Sequence, residues 1–114
     1  MNTKIYPGGI VEITDENICI KNADDALELF SIDGCTAVII KKNCLADNFF
    51  DLSTGIAGEI LQKFSTYRMR MAIIGDFENI TGKALRDFIY ESNKVKRILF
   101  VKTLKEALEI LTNG

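Results

Sequence analysis

Three short runs, Thr36-Ala-Val-Ile-Ile40, Met71-Ala-Ile-Ile74 and Ile98-Leu-Phe-Val101, are apolar or β-branched without alternation. A strand with one wet face alternates apolar and polar residues; a run that does not alternate needs cover on both faces. Each run is followed, after a polar turn, by a stretch whose apolar residues recur every three or four positions, the period of an amphipathic helix. Buried strands alternating with such helices imply a parallel or mixed sheet joined by right-handed crossovers.

The rest of the chain fits around that frame. Ile5-Tyr6, the break Pro7-Gly8-Gly9, the run Ile10 to Ile13, the turn Thr14 to Asn17 and the run Asn17 to Ile20 predict a hairpin in the first twenty residues. Pro7 has no amide to give a ladder and belongs at a strand edge or bulge. Asn22 is a plausible N-cap for a first helix, with Asp24 and Asp25 at the positive end of its dipole and Ala23, Ala26, Leu27 and Phe30 inward. In the second and longest helix, Ile56, Ala57, Ile60, Leu61, Phe64 and Tyr67 form the apolar stripe. Thr81 caps a third, facing inward through Ala84, Leu85, Phe88 and Ile89. Thr103 and Glu106 form a capping box for a fourth, packed through Leu104, Ala107, Leu108 and Leu111. The loop from Lys41 to Asp51 carries Leu45, Phe49 and Phe50, and the two phenylalanines read as core plugs beneath it. The expected order is β-β-α-β-α-β-α-β-α, a single α/β domain over residues 1–114.

Several function classes fall away. The chain has no histidine, which excludes serine–histidine and cysteine–histidine catalysis and imidazole metal sites. Its three cysteines, Cys19, Cys35 and Cys44, follow no disulfide or zinc spacing, and Cys19 reads as a reduced, buried thiol. A net charge of −2 argues against a nucleic-acid surface. No run approaches the ~20 apolar residues of a membrane span and no leader pattern opens the chain, so the expected address is cytoplasmic. Nothing calls for a cofactor.

Ligands of open α/β sheets sit beyond the carboxyl ends of the strands. Those ends are Lys41-Lys42 with the loop to Thr54, Gly75-Asp76-Phe77, and Lys102-Thr103. The polar turn Asp51-Leu-Ser-Thr-Gly55 therefore shares an edge with Asp76 and a lysine. Ser53 or Thr54 stands at a helix N-terminus, where backbone donors and the dipole favour a phosphate, or serves simply as a cap. Gly55 and Gly58 let backbone approach an anion, but their spacing lacks the Gly-Lys-Ser/Thr of a phosphate-binding loop. Gly58 inside a helix costs about 1 kcal/mol against alanine, and close packing on the sheet or a helix would account for it equally. Asp51, Glu59 and Asp76 offer carboxylates whose separation nothing in the sequence fixes.

The element order with Asp51-Leu-Ser-Thr-Gly-Ile-Ala-Gly-Glu-Ile-Leu61 resembles the STAS domains, bacterial anti-sigma-factor antagonists. In that family a kinase phosphorylates a hydroxyl at the start of the second helix and so releases the anti-sigma factor. The resemblance implies Thr54 as acceptor and Asp51 as its acidic companion. One extra residue before the hydroxyl–Gly pair puts Ser53 in competition. The blocks Phe50 to Phe64, Ala72 to Phe77 and Leu85 to Asn93 further resemble a family of small bacterial proteins carrying a domain of unknown function. Arg86, Asp87, Tyr90 and Glu91 are expected on an exposed face suited to a partner or to self-association. These readings point to a regulatory or protein-interaction module, with a kinase or anti-sigma-factor-like partner. The alternative is a small-molecule or anion binder at the Thr54-Gly55 turn.

Overall fold

The computed structural model describes residues 2–15 and 17–113. The expected order of elements is present. Strand β1 (Thr3–Tyr6) and β2 (Ile10–Ile13) form an antiparallel hairpin, then come α1 (Ala23–Glu28), β3 (Ala37–Lys41), α2 (Ile56–Tyr67), β4 (Arg70–Ile74), α3 (Lys83–Val95), β5 (Ile98–Val101) and α4 (Leu104–Asn113). The sheet runs β1-β2-β3-β4-β5, and every pairing after the hairpin is parallel.

Because β2 to β5 lie side by side in chain order, three crossovers step the same way across the sheet. Crossovers of one hand then place all their helices on one face. Val11, Val38, Ile40, Met71, Ile73, Ile98 and Phe100 pack with residues of α1, α2 and α3, whereas Ala37, Ile39, Ala72, Leu99 and Val101 pack with Ala107 and Leu111 of α4. Helix α4, which follows the edge strand β5, covers the opposite face. The unbroken apolar runs are thus covered twice, as their composition demands.

At the first turn, Asn22 Oδ1 accepts from the Asp25 amide at 2.8 Å, which fixes the start of α1. The helix is six residues long and tightens into a 3-10 turn over Leu29–Ser31, so Leu29 joins the buried set. Phe30 meets Phe64 of α2 edge to face at 5.1 Å. At the far edge the Asn93 carboxamide accepts from the Phe100 amide at 2.7 Å and donates to the Phe100 carbonyl at 3.3 Å. One side chain thereby does for β5 what a sixth strand would do, and blunts an edge that would otherwise invite pairing. Arg70 donates to the carbonyls of Lys96 and Leu111 at the ends of α3 and α4, where a cation complements both helix dipoles.

Several local expectations are corrected. The hairpin turn is Pro7-Gly8-Gly9 itself; Asn17 to Ile20 is no strand, and Ile20 makes only a bridge to Leu45. Glu16, in the turn expected at Thr14 to Asn17, lies outside the described residues. Cys19 is exposed, while Cys35 and Cys44 are buried. Tyr67 is 56% exposed, because α2 ends there and the chain leaves through left-handed Arg68. Gly82, not Thr81, holds the N-cap position of α3, whose 13 residues exceed the 12 of α2; Ala84 is exposed, and Ser92 takes the buried place on that helix.

Candidate functional site

The loop from β3 to α2 is built of three 3-10 turns, Lys42–Cys44, Asp47–Phe49 and Leu52–Thr54. Phe49 anchors it: the ring is fully buried against Phe50 at 5.0 Å and Phe100 at 6.3 Å. A loop held from below by an aromatic plug presents its last turn outward on a fixed base. Asp51, Ser53, Thr54, Gly55 and Gly58 are all exposed.

The hydroxyls of that turn do different things. Ser53 Oγ donates to Asp51 Oδ1 at 2.6 Å, and the Ser53 amide reaches the same oxygen at 3.1 Å. These two bonds, the hydroxyl's first, hold the Asp51 carboxyl below its ordinary range. Thr54 Oγ1 lies 2.8 Å from each of the carbonyls of Asn48 and Asp51, and accepts from the Ile56 amide at 3.3 Å. Thr54 therefore staples the loop to the first turn of α2, while Ser53 engages a side chain at the surface. Gly55 supplies the left-handed corner, φ +76°, from which α2 starts.

Gly58 departs from what the sequence allows it to be. A Cβ built there would meet nothing within 4 Å, so close packing does not explain it. A helical glycine with open space around it costs about 1 kcal/mol against alanine with no structural return. Gly58→Ala should therefore raise the midpoint of urea denaturation by an amount equivalent to roughly 0.5–1 kcal/mol. A loss of stability instead would mean that the glycine is required by the fold.

Asp76 follows the carboxyl end of β4, beside the end of β3 from which the loop to Asp51 leaves. Asp76 Oδ1 accepts from the Glu78 amide at 3.0 Å, closing its own turn. The Asp76 turn is tied to Phe50 of the β3–α2 loop by Lys42. Its Nζ donates to the Asp76 carbonyl at 3.2 Å and lies 5.5 Å from the Phe50 ring centre and 5.3 Å from that of Phe77. Gly75 is what lets the lysine stem pass, since a Cβ there would fall 2.7 Å from Lys42 Cβ. Sequence reading anticipated a lysine here without the two rings that hold it. It missed Asn93 altogether, although a polar residue one step from Phe88 and Ile89 by helical period is the signal of an inward hydrogen bond.

Clefts of about 580, 570 and 410 Å³ open on the described surface, and none of the three is lined by Asp51, Ser53, Thr54 or Gly55. The first lies beside Cys19 and α1, the second beside Lys42 and Phe50, the third between α3 and α4. Among the described residues no cluster of three or more cysteine, aspartate or glutamate side chains is placed to hold a metal ion, and no helix is long and apolar enough to cross a membrane.

No curated protein and no solved structure matches the chain. A family model, described as a domain of unknown function (DUF4180), matches residues 7–111, from the hairpin turn to the last buried leucine of α4. A match over nearly the whole α/β unit, with the Phe49-anchored loop and the Lys42 bridge inside it, makes the chain a member of the DUF4180 family.

Proposed function

We propose that the chain is a non-catalytic regulatory module of the STAS kind that works through the exposed turn Asp51 to Gly58, with Ser53 as the hydroxyl that takes phosphate from a partner kinase. The observation that supports this reading is Gly58: stability is forgone on an exposed helical turn, and positions that break a local rule without a packing return are where function is expected. A bare glycine beside Gly55 and an exposed hydroxyl allows close approach of another protein's backbone. Ser53 is preferred to Thr54 because its hydroxyl bonds only the Asp51 side chain, whereas that of Thr54 is spent on backbone carbonyls. Phosphate on Ser53 would set close to two negative charges against the Asp51 carboxylate, replacing a short hydrogen bond by repulsion and changing the turn seen by a partner.

Site mapping by mass spectrometry on protein purified from its own cells, with phosphatase treatment as control, tests this. The expected result is a phosphate on Ser53 that disappears in Ser53→Ala and persists in Thr54→Ala. An unmodified turn in every growth state, or phosphate mapped elsewhere, would remove the assignment.

A further inference from the structure

The sheet contains one place where neighbouring connections part. From the carboxyl end of β4 the chain turns to α3, on the face shared with α1 and α2; from the adjacent end of β5 it turns to α4, on the opposite face. Where adjacent connections diverge to opposite faces, a crevice opens beyond the strand ends, and in open α/β sheets this is where ligands bind. The cleft of about 410 Å³ lies at that point, lined by the Gly75 to Glu78 turn, residues of α3, the end of β5 and Glu106 of α4. Topology and cavity thus converge on one site, whose lining shares no residue with the turn Asp51 to Gly58.

Its chemistry is specific in sign. Phe77 and Phe100, edge to face at 5.2 Å, contribute aromatic surface. Around them stand the carboxylates of Asp76, Glu78 and Glu106 against two ammonium groups, that of Lys102, already 3.4 Å from Glu78, and that of Lys42, which lies over Phe77. Those carboxylates are not gathered as a metal cage. Aromatic surface with a carboxylate excess suits an organic ammonium, which gains from the ring quadrupole and from the unpaired negative charge together. The protein already uses this environment once: the Lys42 ammonium sits over Phe77 while donating to the Asp76 carbonyl.

We propose that this crevice between α3 and α4 is a binding site for a small organic cation, an amine carrying an apolar or aromatic body. The site stands independently of the turn at Ser53.

Titration of the ¹⁵N-labelled full chain with phenethylammonium, and in parallel with phenylacetate, followed by ¹⁵N–¹H correlation spectra, tests it. Saturable shifts with the ammonium should centre on the amides of Asp76 to Glu78 and Lys102 to Glu106, and phenylacetate should give none there. Glu106→Gln, on the exposed first turn of α4, should weaken the ammonium severalfold. Lys102→Ala frees the Glu78 carboxylate and should strengthen it severalfold, and the same spectra report that each variant is folded. Equal shifts with both probes, shifts centred elsewhere, or no saturable shift with the ammonium would each overturn the proposal.

Discussion

Replacing Phe49 by alanine is expected to destabilise the protein by about 3–5 kcal/mol, the usual cost of removing a fully buried aromatic ring. Against the roughly 5–15 kcal/mol by which a domain of this kind exceeds its unfolded state, that is a large fraction. The expectation follows from where the ring sits. Phe49 is 0% exposed, packs on Phe50 and Phe100, and so joins a loop residue to the β5 edge of the sheet. Little nearby can collapse into the vacancy: Phe100 is held by its strand and by Asn93, and Phe50 is held over Lys42. Urea denaturation of Phe49→Ala, with Phe50→Ala beside it, checks the point. Phe50 is only half-buried, so its variant should lose clearly less. The midpoint should fall in both with the slope unchanged, the sign of altered stability rather than altered compactness. A loss in Phe49→Ala below about 1 kcal/mol, the average for an arbitrary substitution, would show that the loop carrying Asp51 is not part of the cooperative core.

That loop marks the limit of what the amino-acid order discloses. The three unalternating runs could be placed as covered parallel strands because nothing else satisfies such composition, and the helices between them followed from period and caps. Phe49 and Phe50 could be placed as plugs by hydrophobicity alone, although only Phe49 is fully buried and Phe50 is half-buried. What escaped depended on partners far apart in the chain. Cys19 lies in a run that looks like a strand, but Ile20 bonds the Leu45 segment instead, and one bridge does not bury its neighbours. Tyr67 continues a helical stripe in register, yet a stripe buries only as far as something lies against it. Asn93 escaped because its two bonds to Phe100 require the position of β5. The site was legible to the same depth. The exposed turn and the shared sheet edge could be inferred from strand order, whereas the divergence of α3 and α4 that opens the crevice could not. It rests on which face of the sheet α4 takes, and the helix's own apolar stripe is compatible with either.

Gly9→Ala should cost about twice what Gly8→Ala costs or more, although the two glycines are adjacent and both left-handed, φ +79° and φ +89°. The comparison separates conformational strain from steric conflict. At Gly8 a Cβ would meet nothing within 4 Å, so the substitution carries only the penalty of forcing alanine into the left-handed region, about 1–2 kcal/mol. At Gly9 the same penalty applies, and the new Cβ is driven against the Gly34 carbonyl oxygen and the Thr36 side chain. Backbone cannot step aside as a flexible side chain can, and overpacking of this kind adds about 1–3 kcal/mol. The contact also carries a junction. The Gly9 carbonyl accepts from the Thr36 amide at 2.8 Å and, more weakly, from the Ala37 amide at 3.3 Å, while Thr36 Oγ1 donates to the Gly8 carbonyl at 3.0 Å. These bonds bring the hairpin turn against the start of β3, so moving Gly9 aside to relieve the clash would pull on the first parallel pairing of the sheet. Calorimetric or urea denaturation of both variants checks this. The expected order is wild type, Gly8→Ala, then Gly9→Ala, with roughly 2–5 kcal/mol lost in the last. Equal losses would mean that the hairpin turn moves away from Gly34 without cost, and that the hairpin is set by the ladder of β2 to β3 alone.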